Sequence, residues 1–364
     1  MPSGTERVTS VIANCLAARG YNTTIVSLWG GLEPFYERHA DVALFQLFSN
    51  QSHEEKGVLP PLAKQLLRFP KASIRLRKFL QEHPHDILID TDYLLGQVAL
   101  PSTIGMNIKH IHWEHFNFKL DTSRPVKKFG RKMIAYLTQG LVTLTERDQG
   151  YWQEGAKVKG LIDTIPNPLP FQLPEVQYNI NSRIVLAVGR LNEQKGFDLL
   201  LKSWAGIADQ VAPLGWKLRI VGDGEERENL ESLGERLGLK ESIELVPATS
   251  NIDAHYRDAA VFALSSRFEG FGMVLLEAQA YRLPSVAFDC EVGPAEIIRD
   301  GETGYLVPDG DTKAFSEALL RLIKSPETRQ QFAERSRSVT HKFLPEPIIN
   351  RWIGYFDRLM ERDR

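Results

Sequence analysis

The sequence predicts an α/β chain built of two doubly wound, Rossmann-like halves. Three observations carry that expectation. The chain has 364 residues, more than the roughly 100–200 of a single domain. Short β-branched runs alternate with helical periodicity along most of its length, the pattern of parallel sheets made from βαβ units. The densest cluster of breakers, Pro166, Asn167, Pro168 and Pro170 with Pro174 behind them, lies near the middle. The expected spans are 1–168 for the first domain, 169–344 for the second and 345–364 for a closing helix.

The chain opens on Met1 to Arg7 and runs straight into an apolar helical stripe of Val8, Ile12 and Leu16. Strands are then expected over 23–28, 86–90, 107–112, 140–144 and 158–165, with a helix over about 62–82. In the second half Ile184 to Val188 is a buried-strand run that ends at Gly189. A helix follows over about 196–209, and further strands are expected at 216–221, 242–245, 261–264 and 285–288. The stretch 225–237 predicts a charged helix, and 301–307 predicts a turn. Ile348, Trp352, Tyr355, Phe356 and Leu359 recur at helical spacing, so the last segment is expected to lie on a protein surface.

Composition excludes several classes. Hydrophobic residues make up 43% and charged residues 25%, which is globular and neither collagen-like, disordered nor coiled-coil. Up to Ile165 there are 20 Lys and Arg against 16 Asp and Glu, and beyond it 24 against 30. A basic first half beside an acidic second half suits an enzyme with one half facing an anionic surface. Only Cys15 and Cys290 are present, which excludes a disulfide framework and a Cys-based zinc site and favours a reducing compartment. With no apolar run of about 18 residues, the expected location is cytoplasmic, peripheral at most on the cytoplasmic face of the inner membrane.

Two stretches carry chemistry. In Gly189-Arg190-Leu191-Asn192-Glu193-Gln194-Lys195-Gly196 a strand ends, a glycine turns the chain, and two cations precede a helix. That arrangement suits a diphosphate, through the Arg fork, the Lys point charge and the helix-terminal N–H groups. In Arg267 to Ala278 two carboxylates, Glu269 and Glu277, lie eight residues apart around Phe271 and Gly272. Carboxylates accept paired hydrogen bonds from vicinal diols, and N–H groups near Phe271 and Gly272 suit phosphate. Glu277, between Leu276 and Ala278, requires a partner.

These motifs, with Gly222-Asp223-Gly224, Gly293 to Ile298 and the GETGYLV run from Gly301 to Val307, together resemble the retaining nucleotide-sugar glycosyltransferases of family 4 with the GT-B fold. The resemblance implies two Rossmann-like domains facing across a cleft, with the closing helix crossing back to the first. It implies that Arg190 and Lys195 bind the donor diphosphate, Glu277 the ribose and Glu269 the transferred sugar, with Gly189, Gly222, Phe271 and Gly272 in the donor site. Ser3-Gly4-Thr5-Glu6-Arg7 resembles the Gly-rich loop that approaches the donor phosphate, with Ser3 in place of the first glycine. His115, in His112-Trp113-Glu114-His115-Phe116, takes the place of a histidine near the reacting sugar, with His110 and His112 as rivals. A chain opening at Met1 would lack the first, central strand of such a half, and the natural start is expected upstream.

Two patterns compete with this reading. Asp90-Thr91-Asp92 spells a metal-binding Asp-x-Asp, which two phosphate-binding cations make unnecessary. His110, His112 and His115 suggest zinc, but no Cys supports it and strand alternation is expected to separate them. No metal or other cofactor is therefore expected, the nucleotide sugar being a co-substrate. Basic residues interleaved with apolar ones at 64–78 and 124–132 are expected to reach an anionic membrane surface. The acceptor is expected to be a sugar or lipid-linked glycan, and no nucleic acid is expected. The alternatives are a nucleotide-sugar epimerase or hydrolase and a non-catalytic nucleotide-sugar-binding subunit.

Overall fold

The structure, a computed structural model, describes residues 4–28, 36–48, 61–120 and 125–362, side chains of 61–67, 125 and 126 aside. It forms two compact units, Met1–Pro170 together with Pro345–Arg364, and Phe171–Leu344.

In the first unit, α1 (Gly4–Ala17) buries Val8, Ile12, Ala13 and Leu16, one face at helical spacing. Gly4 is the first helical residue, so the expected loop at Ser3 to Arg7 is helix from Gly4 onward, and Ser3 lies outside the described residues. β1 (Thr23–Ser27) pairs in parallel with β2 (Val42–Gln46). The strand β2 was not expected, because its apolar residues fall on both faces: Val42 is buried and Phe45 exposed. After α2 (Pro61–Glu82) come β3 (Ile87–Asp90), α3 (Tyr93–Thr103), β4 (Lys109–Trp113), α4 (Pro125–Leu137), β5 (Gly140–Thr143), α5 (Glu146–Gly155) and β6 (Leu161–Thr164). Among the described residues β3-β4-β5-β6 form one parallel sheet, separate from the β1-β2 pair. Its register sets Asp90 beside His112.

The second unit contains β7 (Ile184–Val188), α6 (Phe197–Ala205), α7 (Ala208–Val211), β8 (Lys217–Val221), α8 (Arg227–Arg236), β9 (Ile243–Val246), α9 (Ile252–Asp258) and β10 (Val261–Leu264). Then follow α10 (Met273–Ala280), β11 (Ser285–Asp289), α11 (Pro294–Ile297), β12 (Gly304–Pro308), α12 (Thr312–Lys324) and α13 (Pro326–Thr340). The strands run parallel in the order β12-β11-β10-β7-β8-β9. One core spans the sheet and its helices through Leu200, Trp204, Leu218, Phe288, Phe315 and Leu319. Two expectations are corrected here. The helix over 196–209 is two pieces, with Gly206 capping the first. The run expected to be a turn is strand from Gly304, paired with β11 at the sheet edge.

The last helix, α14 (Pro345–Glu361), lies in the first unit and buries Ile348, Trp352, Tyr355 and Leu359. Trp352 meets Trp113 edge to face with centroids 5.1 Å apart. The Tyr355 hydroxyl donates to the Leu161 carbonyl at 2.7 Å.

Candidate active site

Parallel doubly wound sheets bind ligands beyond their strand C-termini, where the strand order reverses. In the second unit that point falls between β7 and β10, which pair in parallel. The loops leaving those two strands are 189–196 and 265–272, the stretches that carry Arg190, Lys195 and Glu269. Sheet topology thus brings together two motifs some seventy residues apart.

The loops are laced to each other. Lys195 Nζ donates to Glu269 Oε1 at 2.6 Å, and Ser266 Oγ donates to the same oxygen at 2.7 Å. Ser265 Oγ donates to the Lys195 carbonyl at 3.0 Å, and Gln194 Nε2 to the Phe268 carbonyl at 3.1 Å. Arg267 forks onto both oxygens of Asp198 at 2.8 and 2.9 Å, a bidentate bond from the second loop to the start of α6. Asn192 Oδ1 accepts the Lys195 N–H at 3.2 Å, setting the direction of the Lys195 side chain. Glu269 is only 5% exposed, whereas Arg190 is exposed.

Backbone geometry explains two of the glycines. A Cβ on Gly222, after β8, would sit 1.8 Å from the Gly189 carbonyl oxygen, so no side chain fits where these two turns meet. Gly272 opens α10 with φ +92°, left-handed backbone that favours glycine, and no side chain caps that helix start. The Leu275 and Leu276 N–H groups donate to the Gly272 carbonyl, and the N–H groups that precede them at the helix start suit an anion. The Phe271 ring is buried edge to face against Phe343, with centroids 5.5 Å apart. Phe271 can therefore serve a ligand only through its backbone.

Glu277 is 7% exposed, and Glu277 Oε2 accepts a hydrogen bond from the Tyr256 hydroxyl at 2.9 Å. Tyr256 stacks on Tyr281 with centroids 5.0 Å apart, and the Tyr281 hydroxyl donates to Asp253. Burial, reinforced by Asp253, pushes the Tyr281 hydroxyl well above its ordinary pKa, so it stays a donor.

In the first unit His115 lies just beyond β4, 7% exposed, its ring 4.3 Å from that of Trp113. Burial depresses its imidazole to about 3, so it is neutral at physiological pH. His110 and His112 are both committed to Asp90, at 2.6 Å from His110 Nε2 and 2.5 Å from His112 Nδ1. The expectation that strand alternation separates these histidines does not hold for this pair, because residues two apart share a face. The Asp-x-Asp pair is also divided: Asp92 caps α3 by accepting from the Leu95 N–H at 2.8 Å.

Sequence reasoning named Lys195, Glu269 and Glu277 but missed Ser266 and Tyr256, which donate to Glu269 and Glu277. Glu277's requirement for a partner was legible. Which residue supplies it was not, because Tyr256 lies on a different helix.

Residues 2–172 match the family described as Glycosyltransferase Family 4, and residues 172–339 that described as Glycosyl transferases group 1. An uncharacterized glycosyltransferase of Haemophilus influenzae is 32% identical over 352 residues, 96% of this chain and 95% of that protein. The amylovoran biosynthesis glycosyltransferase AmsD of Erwinia amylovora is 33% identical over 371 residues, 96% of this chain and 94% of that protein. Among solved structures, Anabaena HepE in complex with UDP aligns over 98% of this chain and 97% of its own, with a TM-score of 0.77 at 17% identity, a likeness of fold.

Proposed function

The chain belongs to glycosyltransferase family 4 and has the GT-B fold, and we propose that it moves a hexose-type sugar from a nucleoside-diphosphate donor to an acceptor hydroxyl, with retention and without a metal. The observation that carries this reading is the partly buried Lys195–Glu269 pair at the point where the strand order reverses. A cation and a carboxylate within 2.6 Å of each other can serve adjoining parts of one ligand, the Lys a phosphate and the Glu the sugar hydroxyls. Arg190, Lys195 and the start of α10 stabilise the charge that develops on the leaving diphosphate, an electrostatic role that asks for no metal. Glu277 holds the ribose, and His115, neutral and buried, orients the transferred sugar. The bond from the anomeric carbon to the phosphate oxygen breaks while the acceptor oxygen attacks the same face, and its proton passes to the departing phosphate. The biosynthetic role in the Erwinia relative's name, with the lipid-linked acceptors common in the family, supports an acceptor in surface polysaccharide or lipid-linked glycan assembly.

A thermal-shift screen over nucleotides and nucleotide sugars identifies the donor, because a ligand bound only by the folded state raises apparent stability. Turnover with that donor is then expected to survive a chelator, to yield a product of the donor's anomeric configuration, and to collapse in an Arg190→Ala/Lys195→Ala variant. Near-normal turnover in that variant defeats the assignment. Release of free sugar without an acceptor favours the hydrolase alternative.

Location at the cytoplasmic face of a membrane is part of the same proposal, and α4 supports it best. Its outer face exposes Phe129 (66%), Met133, Tyr136 and Leu137 among Lys128 and Lys132, with Lys157 and Lys159 5.9 and 5.5 Å from the Tyr136 ring. Apolar side chains ringed by cations suit an anionic lipid surface. The α2 segment offers less, because Arg75 donates to the Leu47 carbonyl and Arg77 to those of Ser102 and Ile104. No helix among the described residues is long and apolar enough to cross a membrane. Co-sedimentation with anionic vesicles, weakened by Phe129→Glu, tests this face.

A further inference from the structure

Charged side chains of alternating sign lie buried at the end of β4. Asp90, closing β3, accepts from His112 Nδ1 at 2.5 Å and from His110 Nε2 at 2.6 Å. On the opposite edge of its ring, His112 Nε2 faces Glu114 Oε2 at 3.6 Å, and the Arg131 guanidinium approaches that oxygen at 3.7 Å. Asp90, His112, Glu114 and Arg131 thus read minus, plus, minus, plus. Three helices close around them. A Cβ on Gly96 of α3 would lie 3.3 Å from His112 Nδ1, Arg131 comes from α4, and Trp152 of α5 meets the His112 ring edge to face at 5.9 Å. Other titratable groups near the cluster are His115 just beyond β4, Asp92 and Tyr93 at the start of α3, and Asp148 on α5.

Burial opposes charge on these groups, yet attraction prevails. Asp90 and Glu114 together raise the His112 imidazole to about 10, and both carboxyls are held below their ordinary range. Replacing a buried ion cluster with apolar residues often leaves stability unchanged or improved, so stability is weak ground for keeping one. What such a cluster supplies is direction, since each ring edge and carboxylate faces a group of opposite charge.

That direction is passed to the segment following β4. Glu114 Oε1 accepts the Phe116 N–H at 3.0 Å. Arg131 donates to the carbonyls of Asn117 at 3.1 Å, Leu120 at 3.0 Å and Phe118, while Asp148 accepts the Phe118 N–H at 2.6 Å. His115 lies between the two anchored residues Glu114 and Phe116.

We propose that His112 is a positioning residue, its ring clamped between Asp90 and Glu114 so that segment 114–120 holds His115 in one buried orientation. The clamp rests on the proposed function in one respect only, that His115 meets the reacting sugar.

Imidazole titration by heteronuclear NMR on the full chain tests it. In the unaltered protein His112 is expected to be doubly protonated and His115 neutral from pH 5 to 8. His112→Gln keeps hydrogen-bonding capacity but removes the charge, and His115 is then expected to titrate toward the ordinary value near 6.5. With the donor identified by the screen, turnover is expected to fall at least tenfold (~10) while donor KM stays within about twofold, the split expected of lost transition-state positioning. In Glu114→Gln the lost carboxylate charge by itself lowers His115, so a rise there reports the released ring rather than the altered charge, and this variant also serves if His112→Gln does not fold. An unmoved His115 titration in either folded variant overturns the proposal, as does a neutral His112 at pH 7 in the unaltered protein. A shifted His115 with unchanged turnover supports the clamp and instead removes His115 from the reaction.

Discussion

The Lys195 ammonium lies 2.6 Å from Glu269 Oε1, joining the loop after β7 to the loop after β10. Each residue is a charge partner of the other, so removing either alters the charge balance of both loops. Lys195→Ala is expected to lower turnover about 10²–10³-fold, the cost of losing one preorganised donor at a developing charge. Glu269→Gln, which keeps shape and loses charge, is expected to lower turnover while leaving the free nucleotide diphosphate bound. Steady-state kinetics and titration calorimetry with the nucleotide read the two effects separately.

In the proposed donor site Tyr256 acts through Glu277, whose carboxylate accepts from its hydroxyl. Tyr256→Phe removes a hydrogen bond to a buried carboxylate, worth about 1.5–3 kcal/mol. Donor KM is expected to rise roughly tenfold or more, with kcat little changed, because the ribose is bound alike in ground and transition states. A fall in kcat at constant KM contradicts this role.

Gly222→Ala places a methyl against the Gly189 carbonyl, where a Cβ has only 1.8 Å. One of the two turns must move, and Gly189 leads directly to Arg190. Nucleotide binding is expected to be lost or strongly weakened while far-UV circular dichroism retains the α/β signature.

The pH dependence of stability divides between two histidines. His115, held near 3, stays neutral in the folded state, whereas the unfolded chain takes up a proton below about 6.5. Its contribution is therefore lost as pH falls from 6.5 toward 3, at about 1.4 kcal/mol per pH unit. His112, raised to about 10, works in the opposite sense: its contribution is complete below 6.5 and is lost as pH rises toward 10. Urea unfolding is expected to show the margin of the unaltered protein over His115→Gln widening from pH 3 to 6.5. Its margin over His112→Gln is expected to narrow from 6.5 to 10. Asp148, raised to about 7 chiefly by burial, titrates in the unaltered protein and in His115→Gln alike and cancels in that difference.

Much of the candidate site was legible because each half of it is contiguous. A strand, a glycine, two cations and a helix start fall within residues 184–197, and the second loop repeats the strand-to-helix form with two carboxylates. The first unit was less legible. The resemblance put His115 ahead of its rivals His110 and His112, and contact with Asp90 sets those two apart from it. Asp90-Thr91-Asp92 spelled a metal motif, yet one carboxylate grips imidazoles and the other caps a helix. β2 was missed because half its apolar side chains face outward.

The sequence by itself determined the alternation of strands and helices, the two-part organisation, and the loops that carry cations and carboxylates. These follow from side-chain period and from turn residues, which act over a few neighbours. Only the tertiary structure decided which charge neutralises which: Lys195 with Glu269, His112 with Asp90 and Glu114, Arg267 with Asp198. Electrostatic partnership depends on distance and burial, and in a poorly polarisable interior a few ångströms outweigh any separation along the chain.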